Sequence, residues 1–141
     1  MRRHVMLSIR GRQSYVGQEP DVIELVTEGE LEQIADGWII RYEESDLTGM
    51  QGVTTTFRID GDTVTLDRSG KLNSQMVFRE GVSHESLYQL EFGALLMSVC
   101  ASRIHVDLTE NGGTVDLVYS IEIEQNAAGT IDYHLQIDCK D

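Results

Sequence analysis

The side chains able to do chemistry in this sequence are four histidines, two cysteines and a scatter of arginines, tyrosines and carboxylates. Position removes most of them. Successive residues of a strand point to opposite faces, so a polar residue faces an interior only when it alternates in phase with apolar neighbours. His4, His105 and His134 are each out of phase with the apolar residues around them and are expected in solvent. His84 shares its face with Val82, Ser86, Tyr88 and Leu90 and is expected to point inward. There, His84, Ser86 and Tyr88 would orient a small ligand or set a base beside a hydroxyl. No acid is placed to orient the histidine, so no catalytic residue is assigned, and a satisfied core histidine is the plainer reading.

Arg68 is in phase with Val64 and Leu66, whereas Arg41, Arg58, Arg79 and Arg103 oppose their apolar neighbours. An inward arginine needs an anion and could grip a ligand carboxylate in a bidentate fork. The alternative makes Arg68-Ser69-Gly70 a three-residue loop, pairing Leu66 with Leu72 and leaving Arg68 solvated at a rim. Glu43 and Glu44 are adjacent, so they point apart and cannot flank one substrate. Asp107, Glu110 and Asn111 cluster oxygens without the spacing of a calcium loop, and histidine and cysteine never reach a zinc spacing. Phosphate-cradling glycine loops are absent from the sequence, so no metal or cofactor is expected.

The elements carrying these residues are strands. Apolar residues recur at period two, as in Val5, Leu7, Ile9 or Ile131, Tyr133, Leu135, Ile137. Glycine-containing turn pairs separate the runs. About ten strands are expected near residues 3 to 14, 21 to 34, 38 to 44, 53 to 60, 63 to 68, 71 to 79, 82 to 91, 94 to 109, 114 to 125 and 130 to 139. Only the stretch SHESLYQLEFGALLMSVCA leaves room for a short helix, near residues 86 to 92. Turns at Asp36-Gly37, Gly61-Asp62 and Asn111-Gly112 predict registers in which Leu31 faces Tyr42, Ile59 faces Val64, and Leu108 faces Val115. A meander of this many strands leaves exposed edges unless it closes, so the expectation is one all-β domain over residues 1–141, an up-and-down barrel of eight to ten strands, with a sandwich as runner-up.

Composition narrows the partners. Eleven basic against 24 acidic residues give a net charge of −13, which repels nucleic acid and anionic membrane surfaces. The arginine-interrupted start, MRRHVMLSIR, does not read as a signal peptide, and with two cysteines, Cys100 and Cys139, the expectation is a cytoplasmic protein with free thiols.

The segments RYEESDLTG, LDRSGKLNSQMVFREG and SLYQLEFGALLMSVCASRIHVDLTENGGTVDLVYSIEI resemble the YwiB-like family of small bacterial proteins, a domain of unknown function of the DUF1934 type. The resemblance is strongest from about Trp38 to Ile123. It implies a lipocalin-like, or calycin-like, barrel in a cytoplasmic protein of Gram-positive type bacteria, and it implies no reaction and no site residues.

Three functions follow as expectations. The first is a barrel holding a small apolar or amphipathic molecule among Trp38, Tyr42, Phe57, Met76, Phe78, Tyr88 and Tyr119, with Arg68 and His84 as polar anchors. A glycine-flanked loop from Ser45 to Gly52 could fold over its mouth. The second is an interaction module acting through its acidic surface or as a homodimer. The third, ranked last, is an enzyme using His84 with Tyr88 or Arg68. A continuous interior void of a few hundred cubic ångströms separates the first from the others.

Overall fold

The computed structural model describes residues 2–44, 51–71, 73–90 and 93–139, with backbone alone over 86–90. Ten strands follow one another: β1 (Arg2–Tyr15), β2 (Asp21–Ile34), β3 (Gly37–Glu43), β4 (Val53–Asp60), β5 (Thr63–Gly70), β6 (Ser74–Phe78), β7 (Ser83–Leu90), β8 (Gly93–Thr109), β9 (Gly112–Ile123) and β10 (Asn126–Cys139). Residues 83–90, part of the stretch that left room for a helix, form a strand paired with β8. No helix occurs among the described residues.

All ten strands belong to one sheet ordered β6-β5-β4-β3-β2-β1-β10-β9-β8-β7, so the molecule is a barrel and not a sandwich. The first and last strands join along a long antiparallel ladder from Val5↔Cys139 to Tyr15↔Gly129. The seam therefore falls in mid-chain, between β6 and β7. It is drawn together by single bridges, Arg79↔Val82 and Glu80↔Ala101, with Gly81 N–H donating to Ala101 O at 2.9 Å. Where β8 runs on past β7, the Glu80 carboxylate accepts the Ile104 N–H at 2.6 Å and covers part of the exposed edge.

Alternation decides what faces in. Val5, Leu7, Leu31, Ile40, Phe57, Leu66, Leu117 and Leu135 are buried in one cluster, while their strand neighbours reach solvent. The cluster fills the end of the barrel that carries the chain termini and the β2–β3, β4–β5, β6–β7 and β8–β9 turns. Gly29 belongs to this packed half. A Cβ there would sit 2.7 Å from Leu7 Cδ1 and from Arg41 O.

The Gly61-Asp62 turn pairs Ile59 with Val64 and Phe57 with Leu66, as the turn chemistry predicts. Two other registers are corrected. The β2–β3 turn is Ala35-Asp36, so Leu31 faces Ile40, and Tyr42 faces Gly29. Likewise the β8–β9 turn is Glu110-Asn111, so Leu108 faces Gly113 and Val106 faces Val115. In both cases the glycine assigned to the turn belongs to the following strand. A Cβ on Gly37 would lie 1.7 Å from Ile59 O, and one on Gly112 would lie 2.1 Å from Ile137 O. Close strand approach demands these glycines, and both errors equal two residues, so every side chain keeps its face.

β8 holds a further device. Met97, Val99 and Ala101 are buried on odd positions, while Ile104 and Val106 pack against the core on even ones. A bulge between Ala101 and Arg103, opposite Tyr119 and Val118, changes the phase.

Candidate functional site

The other half of the barrel is hollow. A cavity of about 360 Å³ occupies the end carrying the β1–β2, β3–β4, β5–β6, β7–β8 and β9–β10 connections. Its walls are mostly aliphatic, including Ile9, Leu25, Met97, Ile121 and Ile131, and it reaches the surface beside Tyr15, which is 36% exposed. Gly11 lies in the wall, and a Cβ built there meets no atom within 4 Å. The missing side chain is part of the void.

The polar groups collect where the hollow half meets the packed half. Tyr42, Thr55, Arg68 and Ser74 are successive cross-strand partners on β3, β4, β5 and β6, so all four share the inward face. Arg68 lines the cavity together with Tyr42, Tyr119 and Tyr133. β5 runs unbroken to Gly70 and Arg68 faces Ser74, so the loop reading of Arg68-Ser69-Gly70 is overturned. The turn lies beyond, where Gly70 and Asn73 exchange backbone-to-side-chain hydrogen bonds. Leu72, the partner in that loop reading, lies outside the described residues.

Glu44 follows Tyr42 on the same face. It is buried, its N–H donates to Val53 O at 2.8 Å, and its carboxylate accepts the Thr55 hydroxyl. Glu43 is exposed, as expected of adjacent residues on opposite faces. Tyr42 hydrogen-bonds Tyr133 across the barrel. The tyrosines rest on the packed half's phenylalanines: Phe57 meets Tyr133 edge-on at 5.9 Å, and Phe78 lies 4.4 Å from Tyr119.

Burial sets the electrostatics. It pushes the Tyr42 and Tyr119 hydroxyls well above the ordinary phenol range, against a smaller pull from the Arg68 charge, so both stay protonated donors. Burial alone would disfavour the Arg68 cation. Tyr133, Tyr119, Tyr42 and Glu44 together outweigh that and raise its pKa. The Arg68 Nε and the Ser74 Oγ are buried atoms with no hydrogen-bond partner, one strand apart on the same row.

The remaining candidates sit elsewhere. His84 is half-buried opposite Val99, facing in, with its Nδ1 unpartnered, but it does not line the cavity. Tyr88 pairs with Leu95 in the ladder, and its side chain lies outside the described residues, as do residues 45–50 of the expected lid. Trp38 packs near Leu31, Gln33 and Arg3 at the barrel's other end. His134 bonds Asp116 at 2.5 Å on the outer wall, and Cys100 and Cys139 are free. Glu44, Thr55, Ser74 and Tyr133 are not among the site residues expected from the sequence. Parity with Tyr42, Phe57, Met76 and Leu135 was the available signal.

A ten-stranded antiparallel barrel, nearly closed and hollow at one end, fits a lipocalin-like fold. The chain belongs to the family described as Domain of unknown function (DUF1934), whose model matches residues 7–137. It is similar to the solved ywiB protein from Bacillus subtilis, with 20% sequence identity, a TM-score of 0.79, and coverage of 96% of this chain and 92% of that one. None of the curated proteins compared with this chain matches it. No helix among the described residues is long and apolar enough to cross a membrane.

Proposed function

We propose that this chain is a small-molecule binding protein that takes an apolar or amphipathic compound into the hollow end of its barrel, polar end down against Arg68. The observation that carries the reading is the cavity itself: about 360 Å³ of space with aliphatic walls and a few convergent polar groups at its base. A barrel interior could as well fill with side chains, and the packed half does so. Gly11 keeps the hollow half open where a larger residue would fit. The two free cysteines accord with a cytoplasmic setting for this activity.

Gly11→Leu tests the reading, because it fills the cavity from the wall without touching the polar row. Binding is read with N-phenylnaphthylamine, an uncharged probe that fluoresces in apolar surroundings. The wild-type chain is expected to saturate at one probe per barrel. Gly11→Leu should lose at least tenfold in affinity while its Tm holds or rises, since the side chain adds buried apolar area in a strand. Equal binding by both proteins, or no saturable binding by the wild type, overturns the proposal.

A further inference from the structure

From the polar row at the base of the cavity we infer that the ligand ends in a singly charged carboxylate, held by Arg68 and Ser74 and screened by Glu44 against more highly charged heads. The inference rests on the cavity reading and deepens it. Three observations lead to it.

First, both unsatisfied groups on the row can donate. Arg68 Nε carries a hydrogen that can only donate, and it is buried without a partner. Ser74, directly across the ladder from Arg68 and just outside the cavity lining, has a hydroxyl equally without one, able to donate or to accept. Buried polar groups are rarely left unpaired, so an unpaired donor beside a cavity marks where an acceptor belongs. The tyrosine hydroxyls around Arg68 are held in their protonated, donating form. A ligand head made of acceptors complements this set, whereas an amine or an ammonium does not.

Second, Nε is one arm of the side-on guanidinium fork that grips two oxygens at once. A carboxylate matches that fork in the plane, and a single hydroxyl occupies only one arm. In an apolar-walled cavity the difference is large, because a head group brought out of water without full pairing is strongly penalised. An anion is admitted here only where Arg68 meets it.

Third, Glu44 limits the charge. It is buried two residues beyond Tyr42 on the same face, and its carboxylate accepts the hydroxyl of Thr55, which stands between Tyr42 and Arg68 on the row, so its negative charge lies within reach of both. Arg68 and Glu44 together are neutral. A monoanion adds one negative charge beside the guanidinium, while an alkyl phosphate brings nearly two at pH 7 and meets Glu44 with both. The row therefore favours carboxylate over alcohol through Arg68, and carboxylate over phosphate through Glu44.

Titration of the whole chain with three compounds sharing one tail, octanoate, octanol and octyl phosphate, tests this by calorimetry or by displacement of the uncharged probe. Octanoate is expected to bind at least tenfold more tightly than either of the others. Arg68→Met should bring octanoate down to the level of octanol. Ser74→Ala should cost octanoate several-fold, and Glu44→Gln should raise octyl phosphate at least fivefold. The wild-type ranking needs no variant, so the inference stays open to refutation even where a substitution impairs folding. Octanol binding as tightly as octanoate, or octyl phosphate binding most tightly, overturns the head-group assignment while leaving the cavity reading intact. Failure of all three compounds and of the probe overturns both.

Discussion

Single residues in this barrel are decided by what lies above their Cα atoms, and the glycines show it most plainly. Gly37 and Gly11 both sit in strands with inward apolar neighbours, yet a Cβ on Gly37 would collide with Ile59 O and one on Gly11 would enter open space. Gly37→Ala is expected to cost about 2 kcal/mol or more, since backbone must shift to admit the methyl. Gly11→Ala is expected to be neutral or to stabilise by about 0.5 kcal/mol, through the lost flexibility of glycine in a strand. Urea denaturation of the pair measures both, and equal destabilisation would refute the contrast. The same view explains Glu44. Of the two adjacent glutamates, which must point apart, it is Glu44 whose phase with Ile40 and Tyr42 sends it into the core, where Thr55 meets it.

At the scale of the element, β8 shows how one strand serves two phases. The odd positions Met97, Val99 and Ala101 and the even positions Ile104 and Val106 all face the core, because Ser102 and Arg103 together oppose Val118. Removing Ser102 would turn the bulge into a regular ladder with every inward residue still inward, at a cost of about 1 kcal/mol for the lost bend. Removing His105, three residues on, would drive Val106 and Leu108 to the outer face. The Ser102 deletion is expected to yield a folded protein with a Tm lowered by a few degrees, and the His105 deletion an unfolded or aggregated one. Circular dichroism melts distinguish them, and a stable His105 deletion would show that the register past the bulge is not fixed by burial. Turn assignment also belongs to this scale. Asp-Gly and Asn-Gly signal the hairpin correctly, but in two of three cases the glycine serves the neighbouring strand's approach and the turn falls one residue earlier. Local turn preference cannot see that demand, because it comes from the third strand: β4 in one case and, for Gly112, from Ile137 of β10.

For the molecule as a whole, the polar base ties stability to pH. Tyr42 and Tyr119 hold their protons in the folded barrel far above the ordinary tyrosine pKa of about 10, whereas in the unfolded chain they ionise near it. Their contribution is complete below pH ~10 and is lost progressively as pH rises above it, while the unfolded chain gains from ionisation and the folded one does not. Each tyrosine should remove about 1.4 kcal/mol between pH 9 and pH 11, hence roughly 2.7 kcal/mol for the two. A Tyr42→Phe/Tyr119→Phe variant is expected to show an alkaline decline shallower by that amount in urea melts at the two pH values. An unchanged decline would mean that water reaches these hydroxyls.

By itself the sequence determined the ten strands nearly to their ends, the all-β class, and which side chains of the strands face in, Tyr42 among them, while for Arg68 it left an inward position and a solvated loop both open. Those properties follow from a period of two and from turn residues, both local and both unchanged by a register shift of two. Only the tertiary structure decided that the seam lies between β6 and β7, that one half of the interior is packed and the other hollow, and that Trp38 and Arg68 sit at opposite ends of one face. Depth along the barrel axis depends on how ten strands are staggered, and parity says nothing about stagger.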